Sequence, residues 1–222
     1  SASALAMPAS GIREVVHVAM KTPDVIRLEV GEPDFATPQH IVEAAYEAAS
    51  AGFTKYLPSA GLSSLRDLLS ERINRVNGYS VESEQIVVTV GGVQCVFATM
   101  LALLDPGDEV IIPEPTYVSY VPCVILAGGV PVTVPTHMEN SFHVRPSDIE
   151  SRITSKTKAI LLGYPNNPTG AVMPRNELEG IAEIAKSYDL TVISDEIYER
   201  LVYGVDHTSF ASLKDMADRT IH

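Results

Sequence analysis

Short apolar stretches rich in β-branched residues alternate with longer, more polar stretches along most of the chain. The apolar stretches occupy residues 86–90, 110–112, 130–134, 160–162 and 191–193. Each is separated from the next by enough residues for a helix, which is the arrangement of parallel strands covered by helices on both faces. We therefore predict an α/β fold with a mostly parallel sheet flanked by helices, in which residues 220–222 begin one further strand.

Residues that start and stop helices lie between the apolar stretches. Thr37 offers an N-cap and Pro38 a first-turn proline for a predicted helix at 41–50. Gly78 follows a predicted helix at 61–77, and Pro174 precedes one at 178–187. Residues 1–36 are less regular and contain one possible helix at 12–20, so we predict that they are an N-terminal segment of a smaller domain. Residues 37–222 are predicted to form the large α/β domain, incomplete at its C-terminal end.

Composition and charge exclude several classes of partner. With 16 basic and 28 acidic residues, the chain has a formal net charge of −12, which disfavours nucleic acid and anionic membranes as partners. No apolar run approaches the roughly 18 residues of a membrane span. Cys95 and Cys123 lie in apolar stretches and are predicted to be buried free thiols. We predict a cytoplasmic protein with no nucleic-acid partner, no membrane partner and no metal site.

A pair of glycines marks the first candidate binding site. The apolar stretch at 86–90 runs into Gly91-Gly92-Val93 and then into an apolar helix. The unpaired N–H groups and the dipole at such a helix start suit a phosphate, and glycine lets a ligand approach the backbone closely. Paired glycines at the turns of α/β proteins can also have a purely steric purpose, so this motif alone leaves both interpretations open.

A carboxylate follows the last full apolar stretch. The stretch at 190–194 delivers Asp195 to its C-terminal end, the edge at which open α/β sheets bind ligands. Asp195 could pair with a protonated ring nitrogen, and the hydroxyl group of Tyr198 could bind the same ligand. The alternative is that Asp195 is an ordinary helix N-cap.

Two loops that follow other strands carry further candidate residues. Residues 164–170 combine prolines and asparagines in a stiff turn, where Asn167 offers both a donor and an acceptor and the bond to Pro168 has an increased chance of being cis. In the loop at 113–117, Tyr117 could stack on a flat ligand or cover part of the core. Turn chemistry alone also explains the composition of the first loop.

Six motifs occur in order along the chain, namely Gly31-Glu32-Pro33-Asp34-Phe35, Lys55-Tyr56, Gly91-Gly92, Pro115-Thr116-Tyr117, Asn166-Asn167-Pro168-Thr169-Gly170 and Ser194-Asp195-Glu196-Ile197-Tyr198. Together they resemble the class I and II aminotransferases, which are pyridoxal-phosphate-dependent enzymes of the aspartate aminotransferase superfamily with fold type I. The joint match is specific and extends from about residue 10 to the end of the chain. The resemblance implies that residues 37–222 bind the cofactor and that residues 1–36 contribute to the substrate entrance.

The resemblance implies a role for each matching residue. Asp195 would pair with the pyridine nitrogen of pyridoxal 5'-phosphate and keep the ring protonated, so that the cofactor can accept electrons. Tyr198 and Asn167 would hydrogen-bond the phenolic oxygen of the cofactor, and Tyr117 would stack on its ring. Asp195 and Tyr198 are thus the predicted catalytic residues of this chain.

The phosphate and the substrate are assigned in the same way. The turn at Gly91 and the amides of Gly92 and Val93 would hold the phosphate group of the cofactor. Gly31 would lie near the substrate carboxylate together with Asn167. Tyr56 would reach the phosphate bound by a partner subunit, which implies a homodimer.

Two departures from the family are visible in the sequence. The Schiff-base lysine of the family follows these motifs in a Ser-x-x-Lys or Ser-Lys context. Lys214, the lysine after Tyr198, has neither context, and Lys156 and Lys158, which follow Ser155, precede the last two motifs. We therefore expect these residues alone to be inactive. Val93 also stands where relatives often have a hydroxyl residue, so one side-chain contact with the phosphate would be lost while the backbone amide remains.

The predicted reaction is the transfer of an amino group from an L-amino acid to a 2-oxo acid. A pyridoxal-phosphate-dependent lyase or synthase of the same fold is an alternative, because it would share nearly all the motifs. A non-catalytic cofactor-binding module is a second alternative, consistent with the missing lysine. A nicotinamide-dependent dehydrogenase is disfavoured, since Gly91-Gly92 is only part of the glycine pattern that such an enzyme requires.

Overall fold

The computed structural model describes residues 2–5, 7 and 11–222, so part of the predicted N-terminal segment at 1–36 lies outside the described residues. The chain forms two compact units. The large unit consists of Ser1–Met7 and Ala60–His222, and the small unit of Pro8–Ser59. These two units are defined by contacts within this chain, so they do not test the predicted domain boundary between residues 36 and 37. That boundary stays a prediction.

The described residues form helices and strands that alternate along the large unit. The helices are α1 (Ala2–Leu5), α2 (Gly11–Lys21), α3 (Gln39–Ser50), α4 (Ser63–Val76), α5 (Gly92–Leu103), α6 (Tyr120–Leu126), α7 (Pro146–Glu150) and α8 (Arg175–Ser187). The strands are β1 (Glu109–Glu114), β2 (Val130–Pro135), β3 (Thr157–Gly163), β4 (Thr191–Asp195) and β5 (Thr220–Ile221). Short 3-10 turns lie at Ser83–Gln85, Met138–Asn140, Phe210–Ser212 and Ala217–Arg219.

The strands of the large unit form one parallel sheet in the order β2-β1-β3-β4-β5. The predicted α/β fold with a mostly parallel sheet flanked by helices is confirmed. The predicted strands at 110–112, 130–134, 160–162 and 191–193 lie within β1 to β4, and the predicted start of a strand at 220 is β5. In this sheet Gly163 and Asp195 are paired at the C-terminal ends of β3 and β4.

Alternate residues of the central strands contribute to hydrophobic cores on the two faces of the sheet. Ile111 of β1 and Ile160 of β3 belong to the core that includes α7 and α8. Ile112 and Leu161, which follow them in sequence, belong to the core that includes α5 and α6. Because side chains of a strand alternate between its faces, strands buried on both sides appear in the sequence as continuous apolar runs.

The helix predictions are confirmed with small shifts at their ends. Helix α8 buries Leu178, Ile181, Ala182 and Ala185, whose spacings of three and four residues place them on one face. Helix α3 differs at its start, since Pro38 is the residue before the first turn and no side chain caps the helix. The predicted capping role of Thr37 is therefore wrong, because the fixed backbone of Pro38 already occupies the position that a cap would take.

The predicted strand at 86–90 is wrong. These residues belong to no strand, and the side chains of Val87 and Val90 are exposed. A strand requires a neighbour along its length, whereas the backbone N–H groups of this segment bond the Ser83 carbonyl from Ile86 and the Ala60 carbonyl from Val88, at 3.2 and 2.9 Å. An apolar, β-branched sequence is thus insufficient where no paired strand runs beside it.

The prediction of a buried free thiol is confirmed for Cys123, whereas Cys95 is less buried than predicted. Cys123 is buried, Cys95 is half-buried, and both are free. Within residues 2–5, 7 and 11–222, no helix combines the length and apolar character needed to cross a membrane.

Candidate active site

A cavity of about 660 Å³ lies in the large unit at the C-terminal edge of the sheet. Its wall is formed by the start of α5, by residues that follow β1, β3 and β4, and by the end of β5. Parallel strands deliver their C-terminal residues to one edge, which is where open α/β sheets bind ligands. A volume of this size is within the usual range for sites that hold small molecules and cofactors.

Six residues singled out in the sequence line this cavity together. They are Gly92, Val93, Tyr117, Asn167, Asp195 and Tyr198. Gly91 directly precedes α5, which begins at Gly92. Gly31 and Tyr56 belong to the small unit, where Tyr56 is fully exposed. The roles of all these residues toward a cofactor or substrate stay predictions.

Asp195 is the last residue of β4, and both of its carboxylate oxygens accept hydrogen bonds. The hydroxyl group of Tyr120 donates to Oδ2 at 2.7 Å, and the backbone N–H of Ile197 donates to Oδ1 at 3.1 Å. The residues after Asp195 form a turn and no helix, so the alternative of a helix N-cap is wrong. A carboxylate has about four lone-pair sites, and these two donors therefore leave acceptor capacity for a ligand.

Tyr120 is a site residue that the sequence analysis missed. Burial raises the pKa of Tyr120, and the negative charge and hydrogen bond of Asp195 raise this pKa further. The hydroxyl group therefore keeps its proton and remains a donor to Asp195. The ring of Tyr120 also makes an edge contact with Tyr117, with 5.6 Å between ring centroids.

Gly163 makes the contact between Tyr120 and Asp195 possible. A β-carbon added at Gly163 would lie 2.6 Å from Oη of Tyr120 and 3.0 Å from Cε2 of the same ring. Both distances are too short for a stable contact, so only glycine leaves room for the buried ring at this position. A glycine at the C-terminal end of a buried strand is the one sequence signal that could have suggested this close approach.

The start of α5 presents bare backbone to the cavity. Gly91 has a φ of +87°, a conformation that favours glycine, and no side chain caps the helix. Added β-carbons at Gly91 and Gly92 would meet no atom within 4 Å, so this corner is open. The helix dipole and the N–H groups of the first turn make this end attractive for an anion.

In the loop after β3, Asn166 is buried and Asn167 faces the cavity. The side-chain N–H of Asn166 donates to the Gly163 carbonyl at 3.1 Å, and its Oδ1 accepts the hydroxyl group of Thr169 at 2.9 Å. Asn167 is left to face the cavity, where its Nδ2 lies 3.5 Å from Oη of Tyr198. The Asn167-Pro168 peptide bond is cis, as the sequence indicated.

Cys95 also lines the cavity, beneath the first turn of α5. Burial raises the pKa of the Cys95 thiol, and the negative charge of Asp195 raises this pKa further. A thiol is a good nucleophile only as the thiolate. Cys95 is therefore a packing residue of the cavity wall and not its nucleophile.

Comparisons with known proteins agree on one family. A family model described as aminotransferase class I and II matches residues 23–221. Aspartate aminotransferase of Pyrococcus abyssi is 46% identical over 214 residues, which are 96% of this chain and 55% of that protein. Aspartate/prephenate aminotransferase of Thermus thermophilus is 49% identical over 186 residues, which are 84% of this chain and 48% of that protein.

A solved structure gives the same result. Aspartate aminotransferase from Thermus thermophilus with maleate matches at a TM-score of 0.93 and 43% identity, covering 99% of this chain and 58% of that chain. This chain thus spans about half the length of the curated relatives it matches, 55% and 48% for the two named above.

Proposed function

The chain belongs to the aminotransferase class I and II family, and from this premise we propose that the full-length protein transfers an amino group from an L-amino acid to a 2-oxo acid with pyridoxal 5'-phosphate. The observation that carries the proposal is the carboxylate of Asp195. It lies in the same cavity as the uncapped start of α5. A site with a carboxylate and an anion-binding helix end suits a cofactor with a basic ring nitrogen and a phosphate group.

The residues of the cavity fit pyridoxal phosphate. The open corner at Gly91 and Gly92 leaves space for a phosphate group beside the backbone of α5. Asp195 keeps lone pairs free toward the cavity, and Tyr117 offers an aromatic face in the same wall. Tyr198 and Asn167 add a hydroxyl and an amide that face the cavity together. The ring nitrogen, the phenolic oxygen and the phosphate group of the cofactor therefore each have a partner of the right chemical type.

The residues of this chain bind and orient the cofactor, and they maintain its charge. When bound, pyridoxal phosphate draws electrons from the α-carbon of the amino acid. Asp195 stabilises a proton on the ring nitrogen, because a charged pair is favoured over a neutral one in a half-buried site. Tyr120 holds Asp195 in place through its hydroxyl group. Tyr198 and Asn167 would hold the phenolic oxygen by hydrogen bonds, and the start of α5 would hold the phosphate.

We propose the reaction that the relatives share and no particular substrate. The names of similar proteins include aspartate, aromatic amino acids and prephenate. Transfer of an amino group is common to these names, so we assign this reaction and not one particular amino acid. Because this chain spans about half the length of these relatives, the activity is proposed for the full-length protein. A cytoplasmic location is part of the same proposal.

We further propose that the full-length protein is a homodimer. Tyr56 is fully exposed in this chain, which is consistent with the predicted contact to the phosphate bound by a partner subunit. Sedimentation of the full-length protein is expected to give twice the mass of one chain. A monomer with full activity would contradict the proposal.

The experiment that tests the function is an amino-transfer assay of the full-length protein and its Asp195→Ala variant. Both are supplied with pyridoxal phosphate, 2-oxoglutarate and a panel of L-amino acids that includes aspartate and tyrosine. The wild type is expected to form glutamate and the matching 2-oxo acid. The variant should fold normally, and its kcat should be about a thousandfold lower than that of the wild type. Ammonia, carbon dioxide or a cleaved side chain as the main product would instead indicate a lyase.

Undiminished amino transfer by the Asp195→Ala variant would show that this carboxylate has no role at the ring. Circular dichroism of both proteins is the control for folding. The two results together separate a lost function from a lost fold.

A further inference from the structure

Glu196 is a buried carboxylate that the proposed reaction does not use. It follows Asp195 directly, and only 1% of its side chain is exposed. Its Oε1 accepts hydrogen bonds from the hydroxyl group of Ser194 at 2.7 Å, the backbone N–H of Phe210 at 2.9 Å and the hydroxyl group of Ser209 at 3.3 Å. Its Oε2 lies 2.8 Å from Nε2 of His207. Four donors thus converge on one side chain.

The donors keep Glu196 ionised although it is buried. Burial alone raises the pKa of Glu196, but the hydrogen bonds of His207, Ser194 and Phe210 and the nearby His222 outweigh it, so this pKa is lowered from its usual value. His222 contributes from the end of β5, where its Nε2 lies 3.6 Å from Oε2 of Glu196. A buried carboxylate that is fully hydrogen-bonded fixes the segments that supply its donors.

Tyr79 extends this network on the far side of His222. Its hydroxyl group lies 2.5 Å from Nδ1 of His222. Burial, followed by the charges of Glu196 and Glu199, raises the pKa of Tyr79 to about 12. Tyr79 therefore keeps its proton, and its hydroxyl group and the ring of His222 are hydrogen-bond partners beside Glu196.

A metal site is the rival interpretation of this cluster. Among the described residues, Glu196, Glu199 and His207 offer ligand atoms that lie within 4.8 Å of one another. However, Oε1 of Glu196 already accepts three hydrogen bonds, and Glu199 is bound by the guanidinium group of Arg72 and by Nδ2 of Asn77. A cation would have to displace these donors and lie beside Arg72, so the cluster is better explained as a network of hydrogen bonds.

We infer that Glu196 is a positioning residue which, held by His207 and by the segment at 207–210, fixes the turn that presents Asp195 to the cavity. The inference rests on the proposed function, because it concerns the same cofactor site. Glu196 and Asp195 are adjacent in the chain, so movement of one changes the backbone of the other. Glu196 lies in the cavity wall beside Asp195, and its hydrogen bonds to Ser194 and to the segment at 207–210 leave Asp195 little freedom.

The test measures the dissociation constant of pyridoxal phosphate for the full-length protein and its variants. Glu196→Gln replaces one accepting oxygen with a donor that faces His207. His207→Leu removes the donor and keeps bulk, whereas His207→Gln retains an N–H group near the same place. We expect Glu196→Gln and His207→Leu to raise the dissociation constant about 10- to 100-fold, the range for lost partners that orient a metal ligand. His207→Gln should restore most of the affinity.

Glu177→Gln is the matched control, since it also replaces a partly buried glutamate of the large unit. Oε2 of Glu177 has no hydrogen-bond partner among the described residues, and Nδ1 of His143 lies 3.6 Å from it. This variant should bind the cofactor like the wild type. Thermal melting of every variant verifies that the protein is folded at the temperature of the measurement.

A double-mutant cycle tests whether Glu196 acts through Asp195. In an Asp195→Asn background, Glu196→Gln should add little further loss of affinity, because the charge to be positioned is already gone. Fully additive losses would overturn the inference, as would wild-type affinity of the Glu196→Gln variant. The inference would also be overturned if treatment of the wild type with EDTA reproduced the loss.

The outcomes also separate the two proposals. If the wild type fails to bind pyridoxal phosphate, or if Asp195→Asn binds it equally well, the proposed function itself is wrong. If Asp195→Asn weakens binding but Glu196→Gln and His207→Leu do not, only the positioning role of Glu196 is wrong.

Discussion

At the scale of single residues, the candidate site depends on how one carboxylate is held. Asp195 receives a hydroxyl group on one oxygen and a backbone N–H on the other. Hydrogen bonds to a charged acceptor are stronger than neutral ones, and they restrict the side chain to one orientation. The role proposed for Asp195 therefore depends on the hydrogen bond from Tyr120, although Tyr120 itself does not need to touch the ligand.

Replacement of Tyr120 by phenylalanine tests this dependence. The variant loses one hydrogen bond to a charged group, which is worth roughly 1.5–3 kcal/mol. We expect kcat/KM of the full-length protein to fall about 10- to 100-fold while the fold is retained. Steady-state kinetics and circular dichroism are the measurements.

Tyr188→Phe is the control for the loss of a tyrosine hydroxyl group. Tyr188 also donates to a carboxylate, Oε1 of Glu150 at 3.1 Å, but it lies on the surface and away from the residues that line the cavity. This variant should keep wild-type kinetics. Equal losses in both variants would contradict the role of Tyr120.

The sequence identifies the residues that face the cavity, but it does not identify the residue that holds Asp195 in position. Asp195, Tyr198, Asn167 and Tyr117 belong to motifs, and the structure brings them around one cavity. Tyr120 lies only three residues after Tyr117 and looks equivalent in the sequence. Its bond to Asp195 depends on space left by a glycine of another strand, and such long-range packing has no local pattern.

At the scale of elements, each part of the site is delivered by a strand end or a helix start. Strands β3 and β4 place Gly163 and Asp195 side by side, and α5 turns its first N–H groups toward the same cavity. The strands could be predicted because both of their faces are buried. The segment at 86–90 has the same kind of sequence but has no strand beside it, and pairing cannot be inferred from composition.

The packing of α6 against β3 yields a prediction for Gly163→Ala. The added methyl group would lie 2.6 Å from Oη of Tyr120, whose ring is buried, so the ring must shift from its contact with Asp195. Overpacking of this kind costs about 1–3 kcal/mol. We expect the free energy of unfolding, measured with a chemical denaturant, to fall by that amount, and the affinity for pyridoxal phosphate to fall with it.

Gly11→Ala provides the comparison for the loss of a glycine. A β-carbon at Gly11 would meet no atom within 4 Å, and the residue begins helix α2. The change should therefore leave the free energy of unfolding within about 0.5 kcal/mol of the wild type, or raise it. A Gly163→Ala variant as stable as this control would show that Tyr120 is not confined by β3.

At the scale of the whole molecule, acid stability reflects the buried charge of Glu196. The pKa of Glu196 is lowered from its usual value of 4.5 in the folded protein. A carboxyl group of this kind stabilises the fold above its unfolded pKa, and this contribution is lost as the pH falls through the folded pKa. We expect the free energy of unfolding to decrease as the pH is lowered below about 4.5.

Glu196→Gln distinguishes the contribution of Glu196 to the free energy of unfolding from the contributions of the other carboxylates. The variant should be less stable than the wild type at neutral pH by roughly 1–3 kcal/mol, because hydrogen bonds to a buried charge are lost. The difference should shrink as the pH falls, since Glu196 of the wild type then becomes protonated. Denaturant titrations at several pH values measure the free energy of unfolding of both proteins. A difference between them that stays constant with pH would contradict the lowered pKa of Glu196.

One proposed contact between the chain and the cofactor is central to the proposed function. The fold, the family and the cavity all point to Asp195 as the partner of the ring nitrogen. Nitrogen NMR of the full-length protein, loaded with pyridoxal phosphate labelled with ¹⁵N in the ring, measures the protonation of that nitrogen directly. The account predicts a protonated ring nitrogen at neutral pH in the wild type and an unprotonated one in the Asp195→Asn variant. An unprotonated nitrogen in the wild type, or a signal that the substitution leaves unchanged, would contradict it.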